Sequence, residues 1–264
     1  KIINQFKDLN IAVIGDYMLD KYIWGNCTRI SPEAPVPIVK VKSTEYRLGG
    51  AGNVVANLAS LGSSVSVFGI IGNDTNGDML DNLLYKQNVH SQLIRSKNNR
   101  ITTVKTRIIA DNQQVTKINE KKVDTISSKN INKLSRLLSQ QSDNFDAVII
   151  SDYGKGVVSK ELSQIIIDNF NHKLIIVDPK GVNYKKYSGS TAIKPNFYEF
   201  KQANKNPELE LTAENLEKYA HIMRNNLALK GMVVTLGDKG VFIQNPKNKY
   251  KIIPTRAKDV FDVS

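Results

Sequence analysis

The sequence of 264 residues contains a single cysteine, Cys27, and no apolar run near the ~20 residues that a membrane-spanning helix needs. One cysteine excludes an internal disulfide and is typical of the reducing cytoplasm. The opening segment, KIINQFKDLN, is polar and lacks the apolar stretch of a signal peptide. We therefore expect a cytoplasmic protein that has no membrane partner.

Acidic residues are too few to balance the basic ones, since 37 Lys and Arg stand against 25 Asp and Glu and give a formal charge of +12. Such an excess is compatible with binding of nucleic acid, of an anionic surface or of a phosphorylated substrate. The cations are scattered through segments such as SKNNR and NPKNKYK, and no nucleic-acid-binding module is recognisable. We interpret the charge as a solvated basic surface and expect no nucleic-acid partner.

Hydrophobic runs alternate with helical patterns along the chain. Several runs, such as AVII and LIIV, are continuously apolar, which is typical of parallel strands covered on both faces. The alternation predicts one α/β domain over residues 1–264, with three α/β/α layers and a mostly parallel sheet. The candidate strands are 11–15, 65–71, 147–151, 174–178, 191–194, 232–236 and 241–244, and the candidate helices are 53–61, 131–138, 159–170 and 213–229.

Two regions interrupt this alternation. Residues 21–48 hold three prolines and short β-like pieces, and residues 101–119 read as two strands, ITTVKTRIIA and QQVTKIN, joined by the turn DN. Neither region has a companion helix, so we predict a small β-sheet that projects from the domain as a lid. Because a lone sheet of this size cannot bury both faces, it should cover a ligand, a partner subunit or both. A homodimer through the lid is the corresponding expectation.

Polar clusters stand at the ends of the candidate strands. In an open parallel sheet, ligands bind at the carboxyl ends of the strands. Six clusters of this kind therefore predict one edge of a binding cleft. The clusters are Ile14-Gly15-Asp16, Gly72-Asn73-Asp74, Ser151-Asp152-Tyr153, Val177-Asp178-Pro179-Lys180, Lys194-Pro195-Asn196 and Thr235-Leu236-Gly237-Asp238.

A second signal is the glycine-rich stretch GGAGN, residues 49–53, which opens a candidate helix. Gly49, Gly50 and Gly52 would let the backbone approach a ligand, and the helix start offers free N–H groups. The stretch is neither a dinucleotide fingerprint nor a Walker A motif. One interpretation is a turn in which Asn53 caps the helix. The other is that Asn53 and the strand-end Asp16 grip vicinal hydroxyls of a sugar.

Four motifs along the chain also carry a family pattern: GGAGN with the helix VVANLASLG, Asp16 at its strand end, AIKPNFYEF, and VVTLGDKG. Together they resemble the ribokinase-like carbohydrate kinases, over essentially the whole chain. Further segments are similar to kinases of D-glycero-β-D-manno-heptose 7-phosphate, which serve bacterial lipopolysaccharide synthesis. These segments are VIGDYMLDKYIWGNCTRISPEAPVPIVKV, DNQQVTKIN, SDYGKGVVS, VDPKG and PTRAKDVFDVS, of which RISPEAPVPI is the most specific.

The resemblance implies transfer of the γ-phosphoryl group of ATP, with Mg²⁺, to the anomeric hydroxyl of heptose 7-phosphate, giving the 1,7-bisphosphate on the way to ADP-heptose. It also implies a second, adenylyltransferase half in many members. The substrate-binding residues would be Asp16, Gly49, Gly50, Asn53, Asp152, Tyr153 and Lys155, with Lys105 and Arg107 on the lid for the 7-phosphate. The nucleotide site would include Asn196, Phe197, Tyr198, Glu199, Thr235 and Gly237, with Asn196 and Glu199 holding Mg²⁺ through water or phosphate.

Several of these residues have a purely structural alternative. Glu199 could be a carboxylate that complements a helix dipole. Lys155 could be a solvated lysine between two glycines, and Tyr153 could serve packing alone. At the level of function, the alternatives are a kinase for another sugar or a nucleoside, and a non-catalytic basic binding module.

The last stretch, KDVFDVS, predicts a short strand of Val260, Phe261 and Val263 that carries Asp262. In the family, this strand end continues into Gly-Ala-Gly-Asp, which supplies backbone N–H groups for developing charge and the Asp that acts as base. The resemblance therefore implies that the catalytic Asp, and the helices after it, lie beyond Ser264. Loss of one oxyanion donor costs about 10²–10³ in rate in other enzymes, so residues 1–264 alone should turn over barely.

Overall fold

A computed structural model of the chain describes residues 3–96, 100–121 and 125–255. Its strands include every one of the seven predicted from the sequence. They are β1 (Asn10–Gly15), β2 (Tyr17–Ile30), β3 (Pro37–Gly50), β4 (Ser64–Gly72), β5 (His90–Ser96), β6 (Thr103–Ala110), β7 (Gln113–Glu120), β8 (Ala147–Ser151), β9 (Leu174–Asp178), β10 (Ala192–Ile193), β11 (Gly231–Thr235), β12 (Val241–Gln244) and β13 (Tyr250–Ile253).

The helices likewise include the four predicted ones. Ser159 and Thr212 accept hydrogen bonds from backbone N–H groups three residues on, which satisfies donors that a helix start leaves unpaired. The α-helices are α1 (Ala51–Ser60), α2 (Thr75–Tyr85), α3 (Ser128–Ser139), α4 (Lys160–Asn169), α5 (Phe197–Ala203) and α6 (Ala213–Asn226), and the 3₁₀ turns are Ile3–Asp8, Ser142–Asn144, Tyr184–Tyr187 and Gly237–Lys239.

The main sheet has nine strands in the order β13-β12-β11-β10-β9-β8-β1-β4-β5. The seven strands from β5 to β11 in this order are parallel, and β12 and β13 form an antiparallel extension at one edge. From β1, the chain builds outward first through β4 and β5 and later, in the opposite direction, through β8 to β11. Such a reversal opens a crevice at the carboxyl ends of the two central strands. Here these strands are β1 and β8.

Helices cover the sheet on both faces, so the predicted three-layer architecture is confirmed. Side chains of a strand alternate between faces. Ile11 and Val13 of β1 pack in a core with α1 and α2, whereas Ala12 and Ile14 pack in a second core with α3, α4, α5 and α6. Both cores are built from fully or nearly fully buried side chains.

The predicted projecting sheet is also present. Strands β3, β2, β6 and β7 form a four-stranded sheet, in that order, which we call the lid sheet. The turn DN joins β6 and β7, and both Asp111 and Asn112 have positive φ angles, 50° and 64°. This conformation suits a tight hairpin and is tolerated best by Asn, Asp and Gly. All residues of β7 are exposed.

The sequence patterns missed four elements: β5, β13, α2 and α5. The strand predicted over Val260 to Val263, with Asp262, lies outside the described residues. No helix within the described ranges combines the length and the apolar character that crossing a bilayer requires.

Candidate active site

A cleft of about 420 Å³ lies between the carboxyl ends of the parallel strands and the lid sheet. Its walls bring together residues that are far apart in the sequence. Asn53, at the start of α1, and Asn196, after β10, line the same cleft. The strand-end residues and the glycine-rich stretch therefore meet, as the sequence predicts for a ligand site.

The glycine-rich stretch forms one corner of this cleft. Gly50 has φ 58°, and a side chain there would come within 2.5 Å of the Asp16 carbonyl oxygen. The Ala51 N–H donates to that carbonyl oxygen at 3.0 Å, which fixes the start of α1 against β1. Gly50 occupies the N-cap position without a side-chain cap, so the interpretation of Asn53 as the cap is wrong. Asn53 is exposed in the first turn of α1 and lines the cleft.

Asp16 lies beneath the cleft. Its carboxylate is buried and accepts three backbone hydrogen bonds, from Tyr153 at 2.8 Å, Lys155 at 3.0 Å and Val157 at 3.1 Å. Burial raises the pKa of Asp16, and the three N–H donors counter this by stabilising the charged form. Asp16 therefore fixes the loop after β8, and it is not among the residues that line the cleft.

Asp20, four residues after Asp16 and within β2, is the carboxylate of this part of the chain that does line the cleft. Arg107 of β6 donates to Asp20 at 2.8 Å, and its guanidinium lies 5.2 Å from the centre of the Tyr22 ring. A side chain at Gly49 would come within 2.7 Å of the second Asp20 oxygen. Gly49 therefore lies beneath Asp20 and leaves room for it, although Gly49 does not itself line the cleft.

The loop after β8 forms the wall opposite the lid sheet. Asp152 is buried and fully engaged, because its carboxylate accepts from Lys186, from the Tyr187 hydroxyl at 2.6 Å and from the Gly154 N–H at 2.7 Å. Tyr153 lines the cleft, and its ring centre lies 5.3 Å from the Lys105 ammonium group of the lid. Burial, with the nearby carboxylates, raises the pKa of Tyr153 to about 12.

The floor of the cleft carries two ion pairs at the ends of neighbouring strands. Lys194 pairs with Asp178 at 2.9 Å, and Lys180 pairs with Glu199 at 2.7 Å. Burial raises the pKa of Asp178, and Lys194 counters the shift. Each cation on the floor is therefore matched by one carboxylate.

Asn196 and Glu199 form a capping box at the start of α5. The Asn196 side chain accepts from the Glu199 N–H at 2.8 Å, and the Glu199 carboxylate accepts from the Asn196 N–H at 3.2 Å. This arrangement confirms the structural alternative for Glu199, a carboxylate at a helix N-terminus. Both side chains also line the cleft, so capping and ligand contact are compatible here.

The remaining nucleotide-site candidates are divided. Thr235 lines the cleft beside Asn196, with which it forms an isolated parallel bridge. Phe197 stacks on Phe200, and Tyr198 is 68% exposed; neither lines the cleft. Gly237, with φ 63°, begins a 3₁₀ turn and also lies outside the cleft lining.

Four of the six predicted strand-end clusters line the cleft, and Asp16 lies beneath it. The cluster after β4 does not contribute. Asp74 instead caps α2, accepting from the Gly77 N–H at 2.8 Å, and its other oxygen accepts from the Thr102 N–H at 2.7 Å. The end of β4 thus stabilises the helix that follows and the segment that leads into β6.

Two residues that line the cleft, Asp20 and Lys117, lie outside the predicted strand-end clusters and were missed. Asp178, Lys180 and Lys194 also line the cleft; they stand in those clusters but were given no individual role in binding. Counting back across the DN turn pairs Arg107 with Thr116; a register shift between Ile108 and Ile109 brings Lys117 opposite Arg107 instead, and the local sequence does not show this shift.

All four carboxylates that line the cleft in the described part of the chain are ion-paired. Each is paired with an arginine or lysine side chain from another segment of the chain: Asp20 with Arg107, Asp152 with Lys186, Asp178 with Lys194 and Glu199 with Lys180. None is therefore a free base, and among the described residues no three His, Cys, Asp or Glu side chains form a metal-binding group.

Comparison with known proteins identifies the family to which the chain is similar. The model of the pfkB family of carbohydrate kinases matches residues 8–264. The protein called "Bifunctional protein HldE" from Sulfurimonas denitrificans is 42% identical over 267 residues, covering 100% of this chain and 55% of the relative. The protein of the same name from Helicobacter hepaticus is 41% identical and is covered to 54%. The chain thus spans about half the length of the curated relatives it matches.

Solved structures show the same fold at low sequence identity. Phosphofructokinase-2 from Escherichia coli in complex with fructose-6-phosphate superposes with a TM-score of 0.71 at 20% identity, over 95% of this chain and 81% of that one. Its tetrameric inhibited form gives 0.73 at 20% identity, over 93% and 79%. At this identity the likeness concerns the fold alone.

Proposed function

The chain belongs to the pfkB family of carbohydrate kinases, and from this we propose that it forms the kinase part of an enzyme that phosphorylates D-glycero-β-D-manno-heptose 7-phosphate. The γ-phosphoryl group of ATP would pass to the anomeric hydroxyl and give the 1,7-bisphosphate. The observation that carries the proposal is a single cleft in which a hydroxyl-binding corner lies between a cationic lid and a capped helix N-terminus. The resemblance of RISPEAPVPI and the other segments to heptose 7-phosphate kinases supports this sugar.

Sugar hydroxyls would be held by Asp20 and Asn53. A carboxylate accepts hydrogen bonds from hydroxyl groups, and an amide side chain both donates and accepts them, so the pair suits vicinal hydroxyls. Gly49 and Gly50 let the sugar approach the backbone. Asp16, expected from the sequence to contact the sugar, would instead act through the loop that it fixes.

The other sugar-side candidates follow from that loop. Tyr153 and Lys155 would lie beside the sugar, and Asp152 would hold the loop through its buried network with Lys186 and Tyr187. Lys105 and Arg107 are the lid residues that the sequence predicts for the 7-phosphate.

The triphosphate would bind at the floor, near Asn196, Glu199 and Thr235, with the stretch through Phe197 and Tyr198 and the turn at Gly237 flanking the nucleotide. Mg²⁺ keeps most of its water and binds through one or two carboxylates and the substrate's phosphates. Glu199 with Asn196 fits such an indirect role. When bound, the ion would neutralise charge on the transferred phosphate.

A proton acceptor for the anomeric hydroxyl is still required. Because the four cleft carboxylates in the described residues are ion-paired, we propose that the base is the Asp of the Gly-Ala-Gly-Asp loop that follows the Asp262 strand in this family. We further propose that the chain is one domain of a cytoplasmic enzyme of ADP-heptose and lipopolysaccharide core synthesis, joined to an adenylyltransferase half. Residues 21–48 and 101–119 would form its lid.

The lid would also join two copies into a homodimer. The exposed apolar side chains of the lid sheet support this, with Ile30 60%, Val41 56% and Ile118 48% exposed. Light scattering should give twice the mass of the chain. A monomer at all accessible concentrations would contradict the dimer and leave the kinase proposal intact.

The proposed activity is tested by offering ATP and Mg²⁺ with a panel of sugars, sugar phosphates and nucleosides to a protein that continues beyond Ser264, and following ADP release. We expect the highest kcat/KM for heptose 7-phosphate. A higher kcat/KM for another sugar or a nucleoside would reject the heptose assignment within the family. The non-catalytic basic module is not favoured, because the family model covers nearly the whole chain.

A further inference from the structure

Three lysines of the cleft form no ion pair with any carboxylate of the described residues. Within the described ranges, the ammonium groups of Lys105, Lys117 and Lys155 form none of the ion pairs that hold the other cations of the cleft. All three line it, two from the lid sheet and one from the loop after β8. We call them the lysine cluster.

The strand register puts the lid members of the cluster on one face. Lys117 of β7 stands directly opposite Arg107 of β6, and Lys105 lies two residues before Arg107, so all three side chains point to the same side of the sheet. Like charges directly opposite each other destabilise a sheet. The fold nevertheless keeps this arrangement at the mouth of the cleft.

Two carboxylates of the described lid sheet, Asp20 and Glu45, lie on the same face as these cations, and each is paired with an arginine, Glu45 with Arg47 at 2.8 Å. Asp20 pairs with Arg107, whose guanidinium also lies over Tyr22. Arg107 is thereby fixed as the residue that orients Asp20. Within the described ranges, no carboxylate is therefore left on this face to form an ion pair with the lysine cluster.

The titration behaviour of the cluster agrees with this geometry. Burial lowers the pKa of Lys105, and the neighbouring cations Lys155, Lys117 and Arg107 lower it further, against the opposing effect of Asp20. Burial also lowers the pKa of Lys155. A dianion placed among these groups would replace mutual repulsion with attraction.

We propose that Lys105, Lys117 and Lys155 form a subsite for a phosphate monoester dianion carried by the sugar, and that Arg107 positions Asp20 and does not bind the phosphate. The inference rests on the proposed function, since it assigns the acceptor to the class of sugar phosphates. Lysines bind phosphate as point charges, and three of them suit a group without a bound metal ion. A nucleoside or an unphosphorylated sugar would leave the subsite unused.

The test is calorimetric binding of heptose 7-phosphate, of the same heptose without phosphate, and of inorganic phosphate to the 264-residue chain. Lys117→Gln is the main variant, because β7 is exposed and the change is small. Lys155→Gln is the second. Lys40→Gln is the matched control, an exposed lysine of β3 that does not line the cleft.

We expect Lys117→Gln and Lys155→Gln each to weaken binding of the sugar phosphate and of inorganic phosphate by about tenfold, as for loss of one charge-assisted contact. Both variants should bind the unphosphorylated heptose like the unsubstituted chain. Lys40→Gln should change nothing.

The subsite is overturned if the unsubstituted chain binds neither probe phosphate, or if the cluster variants weaken phosphorylated and unphosphorylated sugars equally. A chain that binds a different sugar phosphate with the same loss in the variants would keep the subsite and reject heptose. Binding of heptose without any preference for the phosphate would reject the subsite and keep a carbohydrate kinase.

Discussion

The two ends of the cleft, the floor and the lid, differ in whether their lysines are ion-paired with carboxylates. On the floor, Lys180 and Lys194 each lie within 3 Å of a carboxylate, whereas the lysine cluster under the lid has no such partner among the described residues. A balanced floor suits a ligand that brings its own cation, as a triphosphate with Mg²⁺ does. An unbalanced lid suits a bare dianion. Under the proposed function, this difference in charge balance would let one cleft distinguish two phosphate-bearing ligands.

The largest expected effect follows from Asp16→Ala, which removes the carboxylate that holds the loop after β8 in place. The change leaves the N–H groups of Tyr153, Lys155 and Val157 without their acceptor. At about 1–3 kcal/mol for each buried unsatisfied group, we expect the free energy of unfolding to fall by roughly 3–5 kcal/mol in urea denaturation. Asp168→Ala, on the exposed side of α4, should stay within about 0.5 kcal/mol. An equally small loss for Asp16→Ala would show that Asp16 does not hold the loop.

Asp20→Asn should reduce sugar turnover strongly while it changes the stability of the fold only slightly. We expect about a 10²-fold loss of kcat/KM for the sugar, because a charged hydrogen-bond partner and the Arg107 ion pair are removed together. The free energy of unfolding should change by only about 1 kcal/mol, since the pair is partly exposed. Kinetics and urea denaturation measure the two quantities. An unchanged kcat/KM for the sugar would show that a residue other than Asp20 binds the sugar hydroxyls.

Glu199→Gln tests the floor alone. Glutamine preserves the capping box, so α5 should remain intact. The lost charge releases Lys180 and removes the proposed partner of hydrated Mg²⁺, and we expect about tenfold weaker binding of ATP with Mg²⁺ in calorimetry. Binding of the sugar phosphate should not change. Glu208→Gln, at an exposed site, is the control; equal losses for both ligands would mean that the two ends are not separate.

The smallest expected effect is that of pH on the lid end. The pKa values of Lys105 and Lys155 are lowered in the free protein, so these lysines lose their charge at lower pH than ordinary lysines do, near 10.4. Affinity for the sugar phosphate should therefore fall severalfold as pH rises from about 8 toward 10. Below about pH 6, affinity should fall as well, because the phosphate monoester takes up a proton. Affinity that stays flat up to pH 10 would argue against both lysines as ligands.

Much of the fold could be predicted from local patterns. The continuous apolar runs of β1, β8 and β9 indicated a parallel sheet, and the DN turn fixed the β6–β7 hairpin. The edge strand β5 was missed, since HSQLIRS has too few apolar residues to indicate a strand. Helix α5 has only seven residues, and a helix this short leaves little periodic signal.

The site was harder to predict than the fold, because side-chain direction depends on how one strand passes into the next. Asp16 and Asp20 both stand in the run GDYMLD, and nothing local shows which one faces the ligand. Asp16 is the one residue between the end of β1 at Gly15 and the start of β2 at Tyr17, and it turns inward beneath the loop after β8. The alternation of β2 then points Asp20 into the cleft. Lys117 depended in the same way on the register across the hairpin.

The most direct test of the central claim is calorimetric titration of heptose 7-phosphate into the chain saturated with ATP and Mg²⁺, repeated with Lys117→Gln and Glu199→Gln. We predict that both ligands bind together at one each per chain, that Lys117→Gln weakens only the sugar phosphate, and that Glu199→Gln weakens only ATP. Complete displacement of one ligand by the other, or equal losses for both ligands in both variants, would contradict a cleft with two electrostatically distinct ends.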